Sequence, residues 1–183
     1  MERLGVEQDR LGPQESEFLA ERDSFYLASI GETGWPYVQH RGGPKGFLRV
    51  IDDRTLAFAD FRGNRQFIST GNLATNNRVA LIAVDYPRQA RLKILGRAEI
   101  LEGDAARAWI ERVAVPAYKA TIERVFLIRI EAFDWNCPQH ITPRFTADEI
   151  REALLPIEEQ FAKLHQENQQ LREQLARLQS SVQ

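Results

Sequence analysis

Between Phe25 and Phe133 apolar residues recur mostly at every second position, and the spacing becomes helical in only a few intervening stretches. This alternation predicts strands at 25–30, 36–41, 47–51, 55–61, 78–85, 91–100 and 125–133. GETG, RGGPKG, IDDR and YPRQ fall between them with the composition of tight turns. Helical spacing predicts short helices at 14–22, at 66–76 with a break or end near Gly71, and at 104–114, while residues 1–12 read as a loose polar segment. Turns this short join antiparallel neighbours. The expected fold is therefore mainly β with flanking helices (α+β), an antiparallel sheet that closes most easily as a barrel.

The final third changes character. Thr146 and Glu149 form a candidate capping box opening a helix that is expected to reach Leu155 and stop before Pro156. Leu154, Ile157, Phe161, Leu164, Asn168, Leu171, Leu175 and Leu178 then alternate spacings of three and four, an unbroken heptad seam. With Phe161 at position a, Asn168 is also an a residue, Glu167 is g and Arg172 is e. That pattern favours a two-stranded coiled coil, although the leucines could instead pack back onto their own domain. The expected division is a barrel domain at 1–145 and a helical extension at 146–183.

Charge is distributed unevenly. The 183 residues carry a net charge of −2, yet residues 39–97 contain eleven Lys/Arg against four Asp/Glu. These cations lie among glycines and strand positions rather than in a polar tail, which points to a folded phosphate pocket more than to a diffuse polyanion surface. Neither nucleic acid nor a membrane is expected as a partner, because Phe47, Phe58 and Phe61 alternate like core residues and no apolar run approaches a bilayer span. A single cysteine, Cys137, excludes an internal disulfide and agrees with a cytoplasmic protein. No metal-ligand spacing is present in the sequence, and Gly42, Gly43 and Gly46 read first as turn glycines.

The succession of a strand, a GNRQ turn, a short helix, the NNRVAL strand and the ARLKILGRAEI strand resembles the FMN-binding split barrels of the pyridoxamine 5'-phosphate oxidase-like family, over roughly residues 20–135. The resemblance implies that Asn64, Arg65 and Gln66 occupy the place of the family's phosphate-gripping Ser-Arg-Lys triplet. Arginine is retained there and lysine is not. Arg41, Lys45 and Arg62 would supply the missing charge, a guanidinium being suited to paired phosphate contacts. Ala59 and Asp60 match strand-end residues lying against the flavin, and Gln39 matches a polar position two strands earlier. Arg91 matches a residue at the flavin pyrimidine edge, and Lys93 shares its face of the strand.

The resemblance further implies a homodimer with FMN at the interface and a small-molecule substrate. The chain departs from the true oxidase after its last strand, where DWNCPQHITPRF precedes the heptads. Cys137, His140 and Arg144 would line the pocket in an uncharacterised branch that shares this segment. The expected function is that of an FMN-dependent oxidoreductase, with a non-catalytic flavin-, deazaflavin- or haem-binding protein as the alternative. No residue declares itself a general acid or base.

Overall fold

The computed structural model describes residues 9–63, 66–116, 118–135 and 139–180. The chain divides into two compact units, Met1–Thr142 and Pro143–Gln183. In the first, α1 (Pro13–Ala20) precedes β1 (Ser24–Ile30), β2 (Pro36–Gly42), β3 (Leu48–Asp52) and β4 (Thr55–Phe61). Then come α2 (Ile68–Thr75), β5 (Arg78–Asp85), β6 (Ala90–Leu101), α3 (Gly103–Val113) and β7 (Ile122–Trp135). The second unit contains α4 (Ala147–Ser180).

All seven strands join one antiparallel sheet in the order β2-β1-β5-β6-β7-β4-β3. The β5–β6–β7 meander is thus inserted between β1 and β4, and β2 and β3 form the two edges of a split antiparallel barrel. Alternation sorts the side chains: Phe25 and Leu27 of β1, Leu81 and Ala83 of β5, and Leu92 and Ile94 of β6 enter one apolar core with Phe58, Phe126 and Ile128. Phe25 stacks on Phe47 and meets Phe58 edge-on, with ring centroids 5.5 and 5.1 Å apart. These contacts span the two ends of the sheet. On the outside of β4, Ala57 and Ala59 pack with Val125 under Ala106 and Val113 of α3, forming a second small core.

The long strands bend through bulges at Leu95/Gly96 and Asp60/Phe61, which add the twist that curls the sheet. Gly96 is required by close approach: a Cβ there would lie 2.5 Å from the Arg129 carbonyl oxygen. At the β2–β3 turn, a Cβ on Gly43 would lie 2.7 Å from the Phe47 ring, and Gly46 has φ +79°. α1 seals one side through Phe18 and Leu19. Arg22 fastens it, donating to the Phe18 carbonyl at 3.0 Å and to buried Asp85 at 2.7 Å.

β7 begins at Ile122 rather than Val125, and two helices differ from the sequence expectation. α2 continues through Gly71, whose missing side chain faces open space and so costs only backbone entropy. α4 does not stop before Pro156 but runs through it. Proline removes one backbone donor, and its heptad position is c, away from the seam, so the loss falls on the outer face of a helix otherwise continuous for 34 residues. The capping box forms as read: Thr146 N–H donates to Glu149 Oε2 at 2.7 Å, and Glu149 N–H donates to Thr146 Oγ1 at 3.2 Å. Among the described residues, no helix is long and apolar enough to cross a membrane.

Gly96→Ala should lower the unfolding free energy in urea by about 1–3 kcal/mol, because backbone must shift to admit the methyl group. Gly71→Ala should raise it by about 0.5–1 kcal/mol, since its Cβ meets nothing. Equal effects of the two would contradict the packing described at the bulge.

Candidate functional site

Three strands carry inward-facing rows that end in charged residues at the same mouth of the barrel. In β2 the row is Tyr37, Gln39 and Arg41; in β4 it is Leu56, Phe58 and Asp60; in β7 it is Ile128, Phe126 and Arg124. The apolar members fill the core, and the charged members meet. Arg41 Nη1 donates to Asp60 Oδ1 at 2.6 Å, while Arg124 Nε and Nη2 donate to Asp60 Oδ2 at 2.9 and 2.8 Å. All three side chains are largely withdrawn from solvent, with 14%, 8% and 12% exposure for Arg41, Asp60 and Arg124. A carboxylate shared by two guanidiniums leaves one net positive charge in this trio, and Arg124 also faces Glu123 at 3.9 Å and Glu102 at 3.8 Å.

Aromatic faces hold the guanidiniums in place. Arg41 lies 4.9 Å from the centroid of the Phe126 ring, and Arg124 lies 4.4 Å from that of Phe67. α2 enters beside them. Its N-cap is Phe67, which supplies no side-chain cap, and its first turn holds no acidic residue. The first-turn N–H groups, with the positive end of the helix dipole, therefore have no anionic partner from the helix itself. Ser69 Oγ donates to Gln39 Oε1 at 2.7 Å, and Asn72 Nδ2 donates to Ser29 Oγ at 3.0 Å, fixing α2 against β1 and β2.

Between these groups is a cavity of about 70 Å³, lined among others by Gln39, Arg41, Gln66, Phe67, Thr70 and Arg124. A second, of about 160 Å³, adjoins Arg41 and Asp60 on the side of His40, Gly42 and Phe47. The acidic residues at the first cavity are already engaged: Asp60 by two arginines, and Glu123 by Arg62 Nε at 2.9 Å. Donors remain. Arg41 Nε is buried without a hydrogen-bond partner among the described residues, and Gln39 retains its amide NH2. The mouth is suited to an acceptor-rich, anionic group of phosphate size.

Of the residues singled out from sequence, Gln39, Arg41, Asp60 and Gln66 line this cavity together. Ala59 borders the second cavity, although its side chain belongs to the core beneath α3, so its offering is backbone. Arg62 is on the rim, 56% exposed, and Lys45 is exposed in the β2–β3 turn. Asn64, Arg65 and Cys137 lie outside the described residues. Arg91 and Lys93 pair in register with Val84 and Ile82 on the outer face of the sheet, opposite to Gln39 and Arg41, and Lys93 Nζ is 3.3 Å from Asp134. His140 is exposed at φ +65°, and Arg144 belongs to the second unit.

Sequence reasoning missed Arg124, Phe67 and Thr70. Arg124 had a legible signal, since it shares the parity of Phe126 and Ile128; reading the strand from Val125 excluded it by one residue. The basic block also proves less available than its composition implies. Arg54, Arg62, Arg88 and Arg97 pair with Asp9, Glu123, Glu21 and Glu131, respectively.

An antiparallel split barrel with an arginine-lined mouth is the class that this fold and site define. The family model described as pyridoxamine 5'-phosphate oxidase matches residues 11–136, and the chain belongs to that family. Among solved structures, a provisionally assigned pyridoxamine 5'-phosphate oxidase of Lactobacillus delbrueckii superposes with a TM-score of 0.55 at 21% identity, over 73% of this chain and 99% of that one. HupZ of Group A Streptococcus superposes with a TM-score of 0.52 at 20% identity, over 74% and 100%. Both share the fold. A search of curated proteins finds no match.

Asp60→Ala should destabilise the protein by about 3–5 kcal/mol in urea unfolding, because it leaves two buried guanidiniums without their common acceptor. A loss below about 1 kcal/mol, the range of exposed pairs, would show that the cluster is solvated in solution.

Proposed function

We propose that this chain is a flavin-binding protein that takes FMN, with the FMN phosphate held at the barrel mouth, and that it acts as an oxidoreductase on a small molecule. One observation carries this reading: an uncapped α2 N-terminus opens onto a cavity in which the acidic groups are engaged and arginine donors remain. The residues present fit a phosphate group. Arg41 and Arg124 hold a positive charge that is already oriented, so little side-chain entropy is lost when an anion arrives. Gln39 adds a neutral donor. When bound, a flavin supplies hydride or single-electron transfer; the chain supplies binding, orientation and electrostatics.

The same reading includes a homodimer with the cofactor at the interface. A cavity of about 70 Å³ accommodates a phosphate but not an isoalloxazine ring, so the remainder of the cofactor needs another wall. The outer sheet face supports a second copy in that role. Tyr26, Ile30, Val38 and Leu95 are exposed there by 40%, 39%, 61% and 41%, an apolar strip beside Arg91 and Lys93. From a partner copy, those two cations would stabilise negative charge on the flavin pyrimidine edge.

The test is the absorbance spectrum of the purified protein followed by titration with FMN and with riboflavin, which lacks the phosphate. FMN should bind more tightly than riboflavin. Arg124→Gln should weaken FMN by about 10- to 100-fold, the worth of one charge-assisted contact, while leaving riboflavin unchanged. Equal affinities for FMN and riboflavin would remove the phosphate assignment, and no uptake of either would remove the flavin.

A further inference from the structure

α4 displays its entire heptad seam to solvent. Phe161, Leu164, Leu171, Leu175 and Leu178 are exposed by 71%, 55%, 58%, 58% and 64%, and none of the described residues of the helix is buried. A helix of 34 residues is about 51 Å long, and one apolar stripe of that length in water is a strong drive to associate. The seam has the 3-4 spacing that wraps one helix around another, and the proline sits at c, off the contact face.

We infer that α4 pairs with α4 of a second copy of this chain as a parallel, in-register, two-stranded coiled coil. Asn168 selects the direction. In a parallel pair, a residues face a residues, so the two Asn168 amides meet and each supplies both a donor and an acceptor to the other. In an antiparallel pair, a faces d, and each Asn168 would be buried against leucine with its amide unsatisfied. Charge agrees with the parallel arrangement: Glu167 at g and Arg172 at e are the positions that adjoin across parallel helices, one opposite-charge pair on each side of the Asn168 layer. The other flanking positions, Gln160, His165, Gln174 and Gln179, place no like-charged pair in the same relation. The pairing is self-complementary, as a two-fold dimer requires.

The experiment is disulfide trapping in the full-length chain carrying Cys137→Ser. Leu164→Cys and Leu178→Cys place one thiol on the seam, two heptads apart, and Gln166→Cys places it on the outer face at f. Under mild oxidation both seam variants should run mainly as covalent dimers on a denaturing gel, and the outer variant mainly as monomer. A parallel pair links both seam positions, whereas an antiparallel pair can link at most one of them to itself. Linkage of one seam position alone, of all three equally, or of none would overturn the inference. Asn168→Leu provides the second readout: sedimentation equilibrium should show species larger than a dimer, and an unchanged dimer would contradict the role assigned to Asn168. Neither measurement involves the flavin, so failure of the cofactor reading leaves this one standing, and the reverse.

Discussion

The barrel mouth depends on one buried ion cluster. β2 lies at one end of the strand order and β4 beside the other, so no backbone hydrogen bond joins them. Arg41 and Asp60 make that connection with side chains, and Arg124 braces the carboxylate from the third strand. Removing such groups from water is costly, and the cluster persists because the carboxylate accepts from both sides and two guanidiniums rest on aromatic faces. The groups that hold the split together are thus also those that line its mouth with guanidiniums.

The two faces of the sheet carry different business. Inward rows end in the Arg41, Asp60 and Arg124 cluster, while the outward face presents an apolar strip flanked by Arg91 and Lys93. Within one chain these sets are separated by the thickness of the sheet. Under the proposed function this separation is why the cofactor site would draw on two copies, since a residue on the outer face of a strand cannot reach the inner mouth of its own barrel. The family to which the chain belongs agrees with the fold; the chemistry of the mouth rests on its donors.

Most of the fold was legible because alternation is a local signal. Period-two runs marked all seven strands, and the Thr146–Glu149 capping box marked where α4 begins. Proline at 156 misled because the cost is local: one backbone hydrogen bond is forfeited there, while the turns on either side keep theirs and the helix continues. The site was half legible. Gln39, Arg41 and Asp60 could be placed by resemblance, but the closure that brings β2 to β4 is a property of the whole sheet and leaves no mark in either strand. Arg124 needed only parity, whereas Phe67 and Thr70 acquire significance from the direction in which α2 enters, which no spacing in the sequence encodes.

The turn at Gly43–Phe47 has a kinetic consequence. Although β2 and β3 end up as opposite edges of the sheet, the turn joins them directly, with Gly43 pressed against the Phe47 ring. Arg41 and Asp60 are consequently only 19 residues apart in the chain, while Asp60 and Arg124 are 64 apart. Loop-closure entropy rises with separation, so the two edges can approach each other at low entropic cost before the meander between them has formed.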